Sequence, residues 1–218
     1  MRAICWTDYI CPWCWLGRDR TRLMRSLGLD VEVRPYELHP ELPAEGRTHR
    51  TGGRLDHVFD IIAAECRELG LPFTRPVRTP NSRRALETAE VVRLHFPGHF
   101  EQLDQSLYEA HWVDSLDIGD RAVIDRLVAE AGASPTEVFE LVADGIGYDG
   151  VRASMASAQD VGVVSTPAWW VNEALLIPGA QPRESIERWV SKLLAKEQRD
   201  QPETGSSPPP DAPGTSVS

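Results

Sequence analysis

The segment DYICPWCWLG (residues 8–17) contains two cysteines, Cys11 and Cys14, three positions apart. The apolar run before it, at residues 3–6, is too short for a helix and predicts a buried strand. After it, apolar residues between Leu16 and Leu27 recur at helical spacings, which predicts an amphipathic helix that begins at Pro12. The cysteine pair is therefore predicted to lie where a strand turns into a helix.

The two cysteines are expected to differ in reactivity because they lie at different depths in the helix. A cysteine at a helix N-terminus faces unpaired N–H groups and the positive end of the helix dipole, and both lower the pKa of its thiol. Cys11 is therefore the candidate nucleophile. Cys14, one turn further on, can attack a mixed disulfide on Cys11 and release the partner.

Other uses of a close cysteine pair fit this sequence less well. A zinc site needs about four ligands, and this chain has one close pair with scattered histidines. Haem attachment would require a histidine at position 15, which is Trp15. A structural disulfide is typical of secreted proteins, and MRAICWTDYI has no signal peptide pattern. We therefore favour a redox pair with no metal and no bound organic cofactor.

The remaining polar and thiol side chains give weaker signals. Cys5 and Cys66 fall on apolar patterns and are predicted to be core residues. Asp8 and Glu37 are candidate proton acceptors near a thiol, with capping or surface roles as the alternative. The histidines are predicted to be solvated or structural because they share no ligand spacing: His39, His49, His57, His95, His99 and His111.

The rest of the chain is predicted to form strands on either side of a series of helices. VEVRPYEL (31–38) predicts a second strand that ends or becomes an edge near Pro35, and 39–53 predicts a crossover. Helices are predicted at 55–69, 81–96, 99–112, 120–131, 135–144 and 151–161. The runs PAWWV and ALLIPGA predict a hairpin, followed by a helix at about 182–196.

Composition limits the classes of partner. The 218 residues carry a formal charge of -10, which disfavours a uniform basic face for nucleic acid. No run approaches the roughly 18 apolar residues of a membrane span. We expect a cytoplasmic protein that binds neither nucleic acid nor membrane.

Several segments together resemble the DsbA family of thioredoxin-fold proteins, and in particular its FrnE-like branch. They are TDYICPWCWLG, RPYELHPELPAEG, PNSRRA, GVVSTP and PGAQP, within about residues 3–196. The resemblance implies an α/β, thioredoxin-like fold with an inserted all-helical domain. It divides the chain into a first thioredoxin-like part (1–45), a helical insertion (46–150), a second thioredoxin-like part (151–197) and a disordered tail (198–218).

The resemblance also assigns roles to residues. It makes Cys11 the attacking thiol, Cys14 the resolving thiol, and Thr166–Pro167 a cis peptide bond opposite them. Besides these cysteines, substrate contacts are expected from Pro12, Trp13, Thr166, Pro167 and Trp169, with Trp13 exposed. Strand alternation sends Trp169 and Trp170 to opposite faces, so at most one of them borders the site.

The activity expected from these features is cytoplasmic dithiol–disulfide exchange with protein thiols and disulfides. A first alternative is an isomerase or reductase that acts on a small aromatic molecule with glutathione or mycothiol as a thiol co-substrate. The related kappa-class glutathione transferases and hydroxychromene-carboxylate isomerases have serine where this chain has Cys11, which speaks against that reading. A second alternative is a peptide-binding chaperone with incidental thiols, and a homodimer is left open.

Overall fold

The computed structural model describes residues 1–50 and 52–200. The strands and helices of the sheet layer are β1 (Arg2–Thr7), α1 (Pro12–Ser26), β2 (Asp30–Pro35), β5 (Ala168–Val171), β6 (Leu175–Pro178) and α8 (Arg183–Asp200). Between β2 and β5 the chain forms β3 (Arg47–Thr48), α2 (Arg54–Leu69), β4 (Arg78–Thr79), α3 (Arg83–His95), α4 (Pro97–Trp112), α5 (Arg121–Glu130), α6 (Pro135–Ala143) and α7 (Ile146–Asp160). The predicted α/β sheet with a long helical insertion is confirmed.

The main sheet has the strand order β2-β1-β5-β6. Strand β1 is parallel to β2 and antiparallel to β5, and β5 forms an antiparallel hairpin with β6. Asn172 and Glu173 make the hairpin turn with φ values of 51° and 54°. Asparagine tolerates this left-handed conformation better than most residues, so the turn forms without glycine.

The two faces of the sheet pack against different helices. Cys5 and Trp169 lie opposite each other in β1 and β5 and pack with Ile186 of α8. On the other face, Trp6 packs with Ala158 of α7. Successive residues of a strand point to opposite faces of the sheet. Trp169 and Trp170 pack in different clusters, so the prediction that they lie on opposite faces is confirmed.

The helical insertion packs directly on the cysteine segment. Ile10, Cys11 and Trp15 belong to the same buried cluster as Leu86 of α3 and Trp112 of α4. The start of α1 therefore lies at the junction between the sheet layer and the insertion, with apolar walls supplied by both.

Some details differ from the sequence-based expectations. The short ribbon of β3 and β4 was not predicted, because two-residue strands give no periodicity. Helix α7 begins at Ile146 and crosses the proposed boundary at 150/151, which stays a prediction. Helix α8 reaches Asp200, so residues 198–200 are helical rather than part of a tail, and 201–218 lie outside the described residues. Within residues 1–50 and 52–200, no helix has the length and apolar character needed to cross a membrane.

Candidate active site

The local sequence explains why Cys11 stands at the first turn of α1. Pro12 occupies the first helical position, where its missing N–H costs no hydrogen bond. Cys11 keeps an extended backbone, and its N–H donates to the Asp8 carbonyl at 3.1 Å. The N–H of Cys14 donates to the Cys11 carbonyl at 2.9 Å, so Cys14 lies one turn inside the helix. All four cysteines of the chain are thiols.

A loop before β5 forms the wall opposite Cys11. Its Thr166–Pro167 peptide bond is cis, as predicted, and the Cys11 thiol donates to the Thr166 carbonyl at 3.3 Å. A Cβ atom at Gly17 would come within 3.0 Å of Pro167 Cγ, so glycine allows α1 to approach this loop. The approach brings residues 155 positions apart into contact at one sulfur.

The two thiols have opposite pKa shifts. A hydrogen bond from the Cys14 thiol lowers the pKa of Cys11 and outweighs the effect of its burial. Burial raises the pKa of Cys14 well above its usual value. The Thr166 hydroxyl is buried without a partner among the described residues, which leaves it available to donate to a thiolate. Cys11 is the thiol that ionises first.

Asp8 is a fully buried carboxyl group three residues before Cys11. It accepts the N–H groups of Ile10 at 3.2 Å and Leu38 at 2.8 Å. Burial raises the pKa of Asp8 to about 6, and its charge in turn raises the pKa of Cys11. Glu37 instead forms an ion pair with Arg83 at 2.9 Å. Asp8 therefore acts electrostatically on the nucleophile, whereas Glu37 is paired with Arg83.

An apolar cavity of about 220 Å³ opens beside Cys11, and we call it the Cys11 cavity. Its walls include Ile10, Leu42, Leu55, Phe59 and Trp112. Histidines also contribute to the lining, namely His39, His49 and His111. The His111 ring is 2% exposed and packs edge-on against Trp112 with a centroid separation of 4.5 Å. Burial lowers the pKa of His111 to about 4, so this imidazole is uncharged at neutral pH.

A second, smaller cavity of about 60 Å³ lies on the other side of the pair, beside Cys14, and we call it the Cys14 cavity. Its lining is polar and charged, with Arg18, Thr21, Asp104 and Tyr108 among its residues. The two sulfurs therefore border different environments, one apolar and one polar.

The structure distributes the other predicted site residues unevenly. Pro12 lines the Cys11 cavity, and its role as a substrate contact stays a prediction. Trp13 is half-buried against the insertion core rather than exposed. Trp169 is corrected to a core residue, because its side chain is 0% exposed and its indole N–H donates to the Thr21 hydroxyl at 3.0 Å.

The two remaining cysteines are core residues, as predicted. Cys5 and Cys66 are buried in separate apolar clusters. Burial raises the pKa of Cys5 to about 12 and that of Cys66 to about 11. Both thiols therefore stay protonated at neutral pH and do not compete with Cys11.

Sequence reasoning missed several residues that the fold brings to the pair. His49 and His111 were expected to be solvated or structural, yet both face the cavity at Cys11. Tyr108 and Asp104, on α4, reach Cys14 from more than 85 positions away in the chain. No local spacing reveals such contacts, because they depend on how the insertion packs on α1.

The cysteine pair lies at a strand-to-helix turn, opposite a cis-proline loop, on a sheet whose strands are separated by a helical insertion. This arrangement defines a thioredoxin-like protein. The model of the DSBA-like thioredoxin domain matches residues 3–190 of the sequence. The chain therefore belongs to the DsbA-like family, whose members are thiol–disulfide oxidoreductases. A search of curated proteins finds no match to this sequence.

Solved structures support the fold. A probable DsbA oxidoreductase from Streptomyces coelicolor superposes with a TM-score of 0.80 and 22% identity, over 97% of this chain and 94% of that one. A 2-hydroxychromene-2-carboxylate isomerase gives a TM-score of 0.75 at 13% identity, over 91% and 98% of the two chains. The cytosolic disulfide reductase DsbM from Pseudomonas aeruginosa, solved with GSH, gives 0.66 at 16% identity, over 91% and 100%.

Proposed function

We propose that this protein is a FrnE-like dithiol–disulfide oxidoreductase that uses Cys11 as nucleophile and Cys14 as resolving thiol. The observation that carries the proposal is the opposite pKa shift of two thiols at the start of one helix. A lowered pKa supplies the thiolate that attacks a disulfide. A raised pKa keeps the second thiol in reserve until a mixed disulfide forms.

The reaction transfers two electrons between the protein and a substrate disulfide. The Cys11 thiolate attacks one substrate sulfur, a new S–S bond forms, and the other substrate sulfur leaves as a thiolate. Cys14 then loses its proton and attacks the Cys11 sulfur, which releases the second substrate thiolate. The substrate disulfide is reduced and the Cys11–Cys14 pair is oxidised, and the reverse sequence forms a disulfide in the substrate.

The surroundings of Cys11 favour a protein substrate with apolar side chains next to its cysteine. Val164, two residues before Thr166, is 85% exposed, and Leu55 at the edge of the Cys11 cavity is 44% exposed. Exposed apolar side chains around a pocket are typical of a binding surface for an extended chain. We propose that a substrate segment lies along the Thr166 loop and places one apolar side chain in the Cys11 cavity.

Further parts of the proposal concern the cellular setting. We place the protein in the cytoplasm, where glutathione or mycothiol would act as a diffusible thiol co-substrate that reduces the Cys11–Cys14 disulfide. The fold likeness to a cytosolic disulfide reductase supports this setting. We retain a homodimer as the assembly to test by light scattering.

A second candidate function is action on a small aromatic molecule with the same thiol co-substrate. The size and apolar lining of the Cys11 cavity favour it, since about 220 Å³ accepts a single aromatic ring. The 2-hydroxychromene-2-carboxylate isomerase with a similar fold is in keeping with it.

Trapping with matched cysteine variants tests the proposal. Cys11→Ser should lower disulfide exchange about 1000-fold or more, because no low-pKa thiol remains. Cys14→Ser should keep the first attack and accumulate mixed disulfides, which mass spectrometry can identify. Cys66→Ser is the control, because it removes a buried thiol elsewhere and should leave exchange unchanged.

Each outcome has a distinct meaning. A protein partner on Cys11 supports the proposal, and a small aromatic thiol supports the second candidate. Faster alkylation of Cys14 than of Cys11 in the reduced protein would reverse their assignment. A pair that shows no rapid labelling at neutral pH would favour the chaperone alternative.

A further inference from the structure

The resolving thiol needs a route for its proton. Cys14 is fully buried, so bulk solvent does not reach its sulfur directly. It attacks as a thiolate, and the proton must leave before the mixed disulfide can be resolved. The Cys14 cavity is the polar space next to this residue.

Burial raises the pKa of Tyr108, and a hydrogen bond from the Thr7 side chain partly offsets this rise. Two buried polar groups of the cavity wall nevertheless have no acceptor for their own hydrogen in the part of the chain that the structure describes. They are the Tyr108 hydroxyl and the Arg18 Nε. Tyr108 is 1% exposed, and an O–H donor without an acceptor at that depth costs about 1–3 kcal/mol unless a water or a charged group accepts from it. A cavity of about 60 Å³ has room for a few water molecules.

The charged groups around the cavity hold Tyr108 in place. Arg18 forms an ion pair with Asp104, which also accepts a hydrogen bond from Tyr9 at 3.1 Å. The Arg18 guanidinium lies over the Tyr108 ring, 4.7 Å from its centroid. The Tyr9 ring packs edge-on against Tyr108 with a centroid separation of 4.8 Å. The packing of its ring thus fixes the position of the Tyr108 hydroxyl, whose O–H has no acceptor among the described residues.

The cavity also leads outward. Arg22 and Glu101 line it and are exposed, so its outer end reaches solvent. The titratable and charged groups that face it are Arg18, Arg22 and Arg25 from α1, and Glu101, Asp104 and Tyr108 from α4. Asp8, the other buried acid near the pair, does not line this cavity, and its carboxylate already accepts two backbone N–H groups.

We propose that the Cys14 cavity is the proton route of the resolving step, and that the Tyr108 hydroxyl donates a hydrogen bond to the Cys14 thiolate as it forms. The Cys14 proton passes to water in the cavity and then to solvent past Arg22 and Glu101. The thiolate forms the bond to Cys11, and the released substrate thiolate takes a proton from solvent. This inference rests on the proposed exchange activity and adds a catalytic group to it.

Rapid mixing with dithiobis-nitrobenzoate measures the two steps separately. The reduced protein should release one nitrothiobenzoate when Cys11 attacks and a second when Cys14 resolves the mixed disulfide. Tyr108→Phe should slow the second phase about tenfold, because one hydrogen bond to a thiolate is lost. The first phase should stay within about twofold of wild type, because Cys11 does not border this cavity. The pH profile of the second phase should move to higher pH.

Matched variants separate this role from a general loss of packing. Tyr36→Phe removes the hydroxyl of another tyrosine, whose side chain is mostly buried outside the cavity, and should leave both phases unchanged. Val33→Leu narrows the cavity while both cysteines are kept, and it should slow the second phase about threefold. It also keeps the test available if Tyr108→Phe does not fold.

The outcomes distinguish the inference from the function on which it rests. A Tyr108→Phe protein with an unchanged second phase and pH profile would overturn the proton route while the exchange activity stands. Equal slowing of both phases would also overturn it, since the effect would not be specific to Cys14. The absence of a first phase in wild type would instead remove the proposed function.

Discussion

The two cavities at the cysteine pair differ in size, polarity and the helix that closes them. The Cys11 cavity is larger and apolar, and α2 and the β3–β4 ribbon close it. The Cys14 cavity is small and charged, and α4 closes it. The insertion therefore builds a different environment for each of two sulfurs that are one helical turn apart.

The contrast explains how the start of one helix can serve two chemical tasks. The nucleophile needs a space that binds the group attached to the substrate sulfur, and apolar walls bind such a group without competing for the thiolate. The resolving thiol needs a path for a proton, which apolar walls would block. A single cavity could not meet both requirements, whereas two separate cavities can.

The first and largest change is expected for His111, whose imidazole is uncharged at neutral pH although it lines the Cys11 cavity. The folded-state pKa of His111, about 4, lies below its ordinary value of 6.5. Between these values the unfolded chain binds the proton and the folded chain does not. His111 should therefore remove about 3 kcal/mol of stability as pH falls from 7 to 4, and His111→Phe should not show this loss. Urea unfolding of both proteins across this range measures the difference.

Asp8 supplies a counterpart of opposite sign. Its pKa is raised from 3.8 to about 6, so the folded form keeps a proton that the unfolded chain has lost. Stability from this group is present below the ordinary pKa and is lost as pH rises through about 6. Asp8→Asn should therefore change the slope in the direction opposite to His111→Phe. Parallel slopes in both variants and wild type would mean that burial does not shift the pKa of His111 or of Asp8.

The sequence predicts one side of this comparison better than the other. The roles proposed for Cys11 and Cys14 were predicted from their depth in α1, which the local pattern of apolar residues indicates. The predicted strand also places Trp169 and Trp170 on opposite faces of the sheet. Which of the two side chains is buried in the core depends on the pairing of β5 with β1. Strand alternation alone leaves that choice open.

The walls of both cavities depend on contacts that are distant in sequence. His111 and Tyr108 lie on the same helix and reach different cavities, so their spacing gives no hint of their separate roles. The β3–β4 ribbon supplies Arg47 and Thr79 to the Cys11 cavity, but each strand has two residues. Composition and periodicity detect elements, and packing of the insertion on α1 decides which side chains meet.

A smaller effect is expected from partly closing the Cys11 cavity. Leu55 is half-exposed at its edge, so Leu55→Trp should place an indole across the opening without disturbing the core. The rate of reaction with dithiodipyridine, an aromatic disulfide, should fall about tenfold, which corresponds to roughly 1.4 kcal/mol of lost binding. The reaction with hydroxyethyl disulfide, which is small and polar, should keep nearly the wild-type rate. Stopped-flow absorbance measures the rate for the aromatic reagent.

Leu94→Trp is the matched control for that change. Leu94 is also a partly exposed leucine on a helix, and it lines neither of the two cavities. It should leave both disulfides unaffected. Equal slowing of the aromatic and the polar reagent by Leu55→Trp would show that the indole blocks Cys11 itself rather than the space beside it.

The smallest expected effect concerns a region remote from both cavities and tests whether overall stability alone sets the two rates. Asp120 caps α5, and its carboxylate accepts the Ala122 N–H at 2.8 Å. Asp120→Ala should cost about 1 kcal/mol of unfolding free energy. Ser134 caps α6 by accepting a longer hydrogen bond, 3.4 Å, from the Glu137 N–H, so Ser134→Ala should cost less unfolding free energy.

Both phases of the reaction with dithiobis-nitrobenzoate should stay at the wild-type rate in each variant, because neither cap contacts a wall of the Cys11 or Cys14 cavity. If the rates instead fell in proportion to the loss of stability, the contrast between the two cavities would reflect global loosening rather than the local environment of each sulfur.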